Sequence, residues 1–170
     1  MLVPVIVWAI LSDLYLIGFL VFLLAGLSDA IDGTVARYFD QQTELGTILD
    51  PIADKLMLVS VFIALAYLSE IPLWLVILIV SRDLLIIFGV MLAFLLSLPV
   101  TIRPLWVSKT NTVAQIALAA WVLFSLAFEI EASNAKLALE WITGLLTFLS
   151  AAAYLREGVK LFATDKNAIS

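Results

Sequence analysis

Four aspartates, Asp29, Asp32, Asp50 and Asp54, fall within one short stretch of a chain that is 64% hydrophobic and only 14% charged. Gly33, Arg37 and Gly46 lie among them. An ionised carboxylate at the centre of a bilayer costs at least about 3 kcal/mol, and a lone one would take up a proton instead of staying charged. Four together call for cations. The chain has no cysteine and no histidine. Oxygen is therefore the ligand atom on offer, which suits Mg²⁺, Mn²⁺ or Ca²⁺ and argues against zinc, copper or haem.

The spacing shows how the acids could meet. Asp29, Asp32, Ala36 and Arg37 stand at i, i+3, i+7 and i+8, with Gly33 at i+4, so all five share one helix face. Asp50 and Asp54 stand at i and i+4 on the next helix. Between them Tyr38 to Leu49 holds Asp40, Gln41, Gln42, Thr43, Glu44 and Gly46, a polar connection long enough to reverse the chain. Two antiparallel helices with opposed acidic faces would form an oxygen-ligand cation site.

The pattern Asp29-x2-Asp32-Gly33-x2-Ala36-Arg37-x8-Gly46-x3-Asp50-x3-Asp54 resembles the complete signature of the CDP-alcohol phosphotransferases, integral membrane enzymes that make phospholipid head groups. The resemblance implies transfer of a phosphoryl-alcohol group from a CDP-linked donor to a hydroxyl, with release of CMP. It further implies two bound Mg²⁺ (or Mn²⁺) ions, with Asp29, Asp32 and Asp50 as metal ligands. Asp54 resembles the residue that helps hold the second metal and takes the proton of the acceptor hydroxyl. The CDP moiety would meet Asp29, Gly33, Thr34, Ala36 and Arg37, the last gripping the diphosphate with its planar fork. Known members of the family are homodimers. On their own, Gly33 and Gly46 would equally suit close helix packing, and Arg37 a membrane-end anchor. A non-enzymatic cation or proton carrier is the rival from a different class. A carrier needs a route to both faces, and here only Arg82 and Asp83 lie beyond the acids.

The elements that must position these residues are helices. Composition indicates an all-α, polytopic membrane protein with residues 1–170 forming a single domain. Six transmembrane helices are expected. Met1 to Leu11 is too short for a bilayer of about 30 Å and is expected to be a first helix truncated at its start. A signal peptide is the rival there, but the segment lacks a basic region and a small-residue cleavage site. The following spans are Leu14–Ala36, Ile52–Leu68 with Pro51 in its first turn, Pro72 to about Leu98, Val107–Phe128 and Leu137–Leu155 with a polar tail. No nucleic-acid partner is expected; the net charge of −5 says little, because the acids are concentrated in the signature and one loop.

Lys and Arg set the orientation. With the loop after the second span cytoplasmic, Arg37, Lys55, Arg103, Lys109, Arg156, Lys160 and Lys166 fall on that side, and Lys136 on the other. The aspartates then sit in the cytoplasmic half of a bacterial inner membrane or in the matrix half of a mitochondrial one. Arg82 and Asp83 fall near mid-membrane on the fourth helix. Being adjacent they diverge by about 100°, so each is expected to bond a different neighbour, either as a structural pair or as part of the site.

Arg103, Lys109 and Asn111 open the fifth helix at the level of the acids and are candidates to hold the acceptor; the competing account is helix capping and interfacial anchoring. Ser81-Arg82-Asp83 together with Ser108-Lys109-Thr110-Asn111-Thr112 resembles the cardiolipin synthase branch of the family, and phosphatidylglycerophosphate synthases are similar at the second run. The substrates implied are CDP-diacylglycerol with phosphatidylglycerol or, in the runner-up, glycerol 3-phosphate. Two nearby cations are sparse for a dianionic sugar phosphate and adequate for one phosphodiester, which favours phosphatidylglycerol.

Overall fold

The computed structural model describes the backbone of residues 2–38, 44–95, 106–130 and 133–166. Within these it describes side chains except at 29–38, 44–54, 90, 93–94, 133 and 159–166. Six helices follow one another with no strand among the described residues: α1 Val3–Leu11, α2 Tyr15–Tyr38, α3 Glu44–Tyr67, α4 Leu73–Leu95, α5 Trp106–Ala127 and α6 Ser133–Lys166.

Three helix ends close in the same way. Asp13, Ser69 and Glu129 each take up left-handed backbone (φ 59°, 62° and 52°). The next residue's N–H then reaches back five positions, Leu14 to Ala9, Glu70 to Leu65 and Ile130 to Ser125, all at 2.9 Å. This is the Schellman closure, usually built on glycine. Here an aspartate, a serine and a glutamate bear the modest steric penalty, and no glycine marks the stops in the sequence.

The core threads through the bundle as Ile6 and Ile10 of α1, Phe22 of α2, Phe62 and Leu65 of α3, Leu75 and Ile79 of α4, and Leu118 and Leu123 of α5. Helix α5 is central, packing on α2, α3 and α6, while α4 lies against α3 and α6. Among the described residues α2 and α3 do not pack on one another; α1 and α5 each touch both. Gly144 lets α6 approach α4: a Cβ there would stand 2.9 Å from the Trp74 ring, which also meets the Trp141 ring at a centroid distance of 5.5 Å.

Polarity is inverted relative to a water-soluble bundle. Arg82, Asp83, Asn111, Gln115, Thr143, Thr147 and Ser150 are buried, whereas Trp106, Leu73, Val113 and Phe148 are exposed. Among the described residues, Trp106–Ala127 and Asn134–Gly158 are long and apolar enough to cross a membrane, and only 33% and 28% of their apolar windows are buried. A core helix of a soluble protein would be mostly buried. Apolar surface of this extent suits a membrane, and the protein is membrane-associated.

Two boundaries depart from the expected ones. Helix α3 starts at Glu44 and not near Ile52, so Gly46 and Asp50, expected near or in the connection, are helical; residues 39–43 lie outside the described residues. Pro51 therefore lies inside the helix and not in its first turn; it costs a single backbone bond, to the Thr47 carbonyl, and membrane helices tolerate such a gap. Helix α6 does not stop at Leu155 but continues to Lys166. No proline follows Leu155, and most of that segment consists of residues compatible with helix.

Candidate functional site

The continuity of α2 and α3 turns sequence spacing into geometry. Asp29, Asp32, Gly33, Thr34, Ala36 and Arg37 occupy the second half of α2, and Gly46, Asp50 and Asp54 the first half of α3. At 1.5 Å per residue, Asp29 lies about 12 Å along α2 from Arg37, and Asp50 about 6 Å along α3 from Asp54. The chain from Tyr38 to Glu44 can span at most about 22 Å, so the end of α2 and the start of α3 lie within that distance of one another. The side chains of these nine residues lie outside the described set, and so does Arg103 altogether. Among the described residues no three acids gather as metal ligands.

The described side chains beside the signature form one ionic group. Lys55, next after Asp54, donates to Asp83 Oδ1 at 3.0 Å. Arg82 donates through Nη1 to the same Oδ1. Its Nη2 bonds Ser108 Oγ, and its Nε and Nη2 bond Ser150 Oγ at 3.1 and 2.8 Å. The guanidinium also lies 5.8 Å from the Tyr154 ring centroid. Helices α3, α4, α5 and α6 are thereby tied at one level. The expectation that Arg82 and Asp83 bond different neighbours is corrected in part. Asp83 reaches α3 and Arg82 reaches α5 and α6, but the two also bond each other, because the long arginine stem folds back across the 100° between them.

Of the acceptor candidates, Lys109 and Asn111 face different ways. Lys109 is exposed, with its ammonium 5.5 Å from the Trp106 ring centroid. Asn111 is fully buried against α6. Thr147 Oγ1 stands 2.8 Å from Asn111 Oδ1 and 2.7 Å from the Thr143 carbonyl oxygen. A hydroxyl has one hydrogen and cannot donate to both. Turning the Asn111 amide end for end removes the conflict: Nδ2, otherwise unpartnered, donates to Thr147 Oγ1, and Thr147 donates to the carbonyl. Asn111 so placed is a packing residue of the α5–α6 seam in this structure.

The partners on α6 were not singled out from the sequence. A signal for them exists: Thr143, Thr147, Ser150 and Tyr154 recur at i, i+4, i+7 and i+11, a polar stripe on the otherwise apolar stretch from Trp141 to Leu155.

A profile of the CDP-alcohol phosphatidyltransferase family matches residues 1–149. The chain belongs to that family. The resemblance carried by the signature is thus borne out over most of the chain, and the family is one of transferases. The chain is 33% identical over 183 residues to a human (Homo sapiens) cardiolipin synthase (CMP-forming), covering 98% of this chain and 60% of the relative. It is 36% identical over 99 residues to a cardiolipin synthase (CMP-forming) of Streptomyces coelicolor, covering 52% of this chain and 45% of the relative. It is 33% identical over 153 residues to the CDP-diacylglycerol–glycerol-3-phosphate 3-phosphatidyltransferase of Bacillus subtilis, covering 89% of this chain and 78% of the relative. The chain spans about six-tenths of the length of the human and rat relatives, 60% and 58%.

Proposed function

We propose that this protein is a phosphatidyl transferase that joins CDP-diacylglycerol to phosphatidylglycerol, giving cardiolipin and CMP. The observation that carries the reading is the set of four aspartates on two consecutive helices, α2 and α3, of a chain in this family. Carboxylates without thiol or imidazole partners are a donor set for hard divalent cations, so Asp29, Asp32, Asp50 and Asp54 would hold two Mg²⁺ or Mn²⁺ ions. Such ions, when bound, neutralise the diphosphate and the charge that develops on the leaving phosphate.

The chain's own residues do the rest. Arg37 clamps the diphosphate, while Gly33 and Ala36 leave the α2 face open to the nucleotide and Thr34 adds a hydroxyl contact. Asp54 accepts the proton as the acceptor oxygen bonds to the phosphorus that carries diacylglycerol and the bond to CMP breaks. Lys109 and Arg103 hold the acceptor phosphate.

Charge arithmetic supports a lipid acceptor. Lys55 is engaged by Asp83, and Lys136 by Glu70 at 2.7 Å. Few cations are left for a dianion such as glycerol 3-phosphate, and the apolar outer faces of α4 and α5 suit an acceptor that enters sideways from the bilayer. The proposal further holds that α2 to α6 cross the membrane, that the protein is a homodimer, and that the aspartates lie toward the cytoplasm of a bacterium or the matrix of a mitochondrion. The acidic end of the bundle, lined by Asp13, Glu70, Glu129 and Glu140, contributes only Lys136 as a cation among its lining residues, which accords with that end facing outward.

Purified protein should release CMP from CDP-diacylglycerol and form cardiolipin when given phosphatidylglycerol. Exhaustive chelation should abolish this, and Mg²⁺ or Mn²⁺, but not Zn²⁺, should restore it. Use of glycerol 3-phosphate in preference to phosphatidylglycerol would make the Bacillus relative the better guide, and no CMP release with either acceptor would sink the enzymatic reading.

A further inference from the structure

Lys55 poses a problem that the fold solves. Its ammonium stands one residue from Asp54 and five from Asp50, on a flexible four-carbon stem, within a helix whose neighbouring positions carry the acids. In a poorly hydrated setting a cation so placed pairs with the nearest carboxylate, and those nearest along the chain are the ones the cations need. In the structure it bonds Asp83 of α4, 3.0 Å away. Asp83 is 7% exposed and cannot swing off, because Arg82 grips the same oxygen. Arg82 is 2% exposed and is itself fixed by Ser108, Ser150 and the face of Tyr154.

We propose that Asp83, clamped by Arg82, is a positioning residue that diverts the Lys55 ammonium from the signature aspartates and so leaves their carboxylates to divalent cations. The proposal rests on the reading of those aspartates as cation ligands. It separates Asp83 from a mere brace between α3 and α4. A brace is lost whenever the bridge is broken, from either side. A diversion matters only while there is an ammonium to divert.

The test is Mn²⁺ binding to purified, detergent-solubilised protein, followed by the electron paramagnetic resonance signal of the free ion. Asp83→Asn keeps an oxygen for Arg82 and frees Lys55; its Mn²⁺ dissociation constant should rise by about tenfold, on the scale usual for residues that orient metal ligands. Adding Lys55→Gln to Asp83→Asn should return the constant to that of the parent protein, and Lys55→Gln alone should leave binding unchanged or tighter. Unchanged binding in Asp83→Asn, or a double variant as weak as the single one, overturns the proposal. If Asp83→Asn fails to fold by its thermal melt, Lys55→Gln alone decides, and weaker Mn²⁺ binding in that variant overturns the proposal. Absence of Mn²⁺ binding by the parent protein would be a different failure, that of the metal reading itself, and the proposal would fall with it.

Discussion

The stretch from Asp29 to Asp54 and the group around Arg82 are both polar islands in an apolar chain, and they differ in charge balance. Around Arg82, two cations meet one carboxylate, two serine hydroxyls and an aromatic face, and the charged groups there are all partnered within the fold. In the signature the sequence sets four carboxylates against Arg37, since the neighbouring Lys55 is engaged elsewhere. A group whose charges are all partnered within the fold, with one net positive charge, can hold helices in register. Four carboxylates against one arginine in a membrane-associated protein would need cations from outside, and that need is what the proposed site rests on.

The largest test of this contrast removes one signature acid. Asp54→Asn should lower turnover by at least about 10²-fold, the scale of general-base loss, while CDP-diacylglycerol still binds, as measured by CMP release and by donor competition. Near-normal turnover would show that the proton goes elsewhere.

Next in size is the partnered group around Arg82. Arg82→Met leaves Asp83 with Lys55 alone and strips Ser108 and Ser150 of their donor, and should destabilise the fold by about 3 kcal/mol, read from unfolding in detergent. A change within about 0.5 kcal/mol would mean that the group contributes little to holding the helices.

The smallest effect is expected at the far end of the bundle. Lys136 bridges Glu70 at 2.7 Å, but the two side chains keep 28% and 32% of their exposure. Lys136→Met should cost no more than about 0.5 kcal/mol. A loss as large as that of Arg82→Met would show that burial is not what separates the two bridges.

The helical placement of the signature was legible in the sequence because helix periodicity is fixed: once α2 and α3 are helical, offsets of three, four, seven and eight residues define a face without any knowledge of the tertiary structure. The same reasoning found the six helices of the described residues and the pairing of Arg82 and Asp83 within the protein. It misplaced the start of α3, where the polar residues read as a connection and Pro51 as a first-turn residue, because local propensity is weak against the demand that backbone groups in an apolar medium bond within their own helix.

Which side chain meets which was beyond the sequence. Lys55 to Asp83 spans 28 positions and Arg82 to Ser150 spans 68, and Asn111 turned out to meet Thr147 of α6. Such contacts depend on the order in which helices pack around α5, and composition and period say nothing of that order. Local spacing determined what these residues can do. The tertiary fold decided which of the described charges are joined to one another.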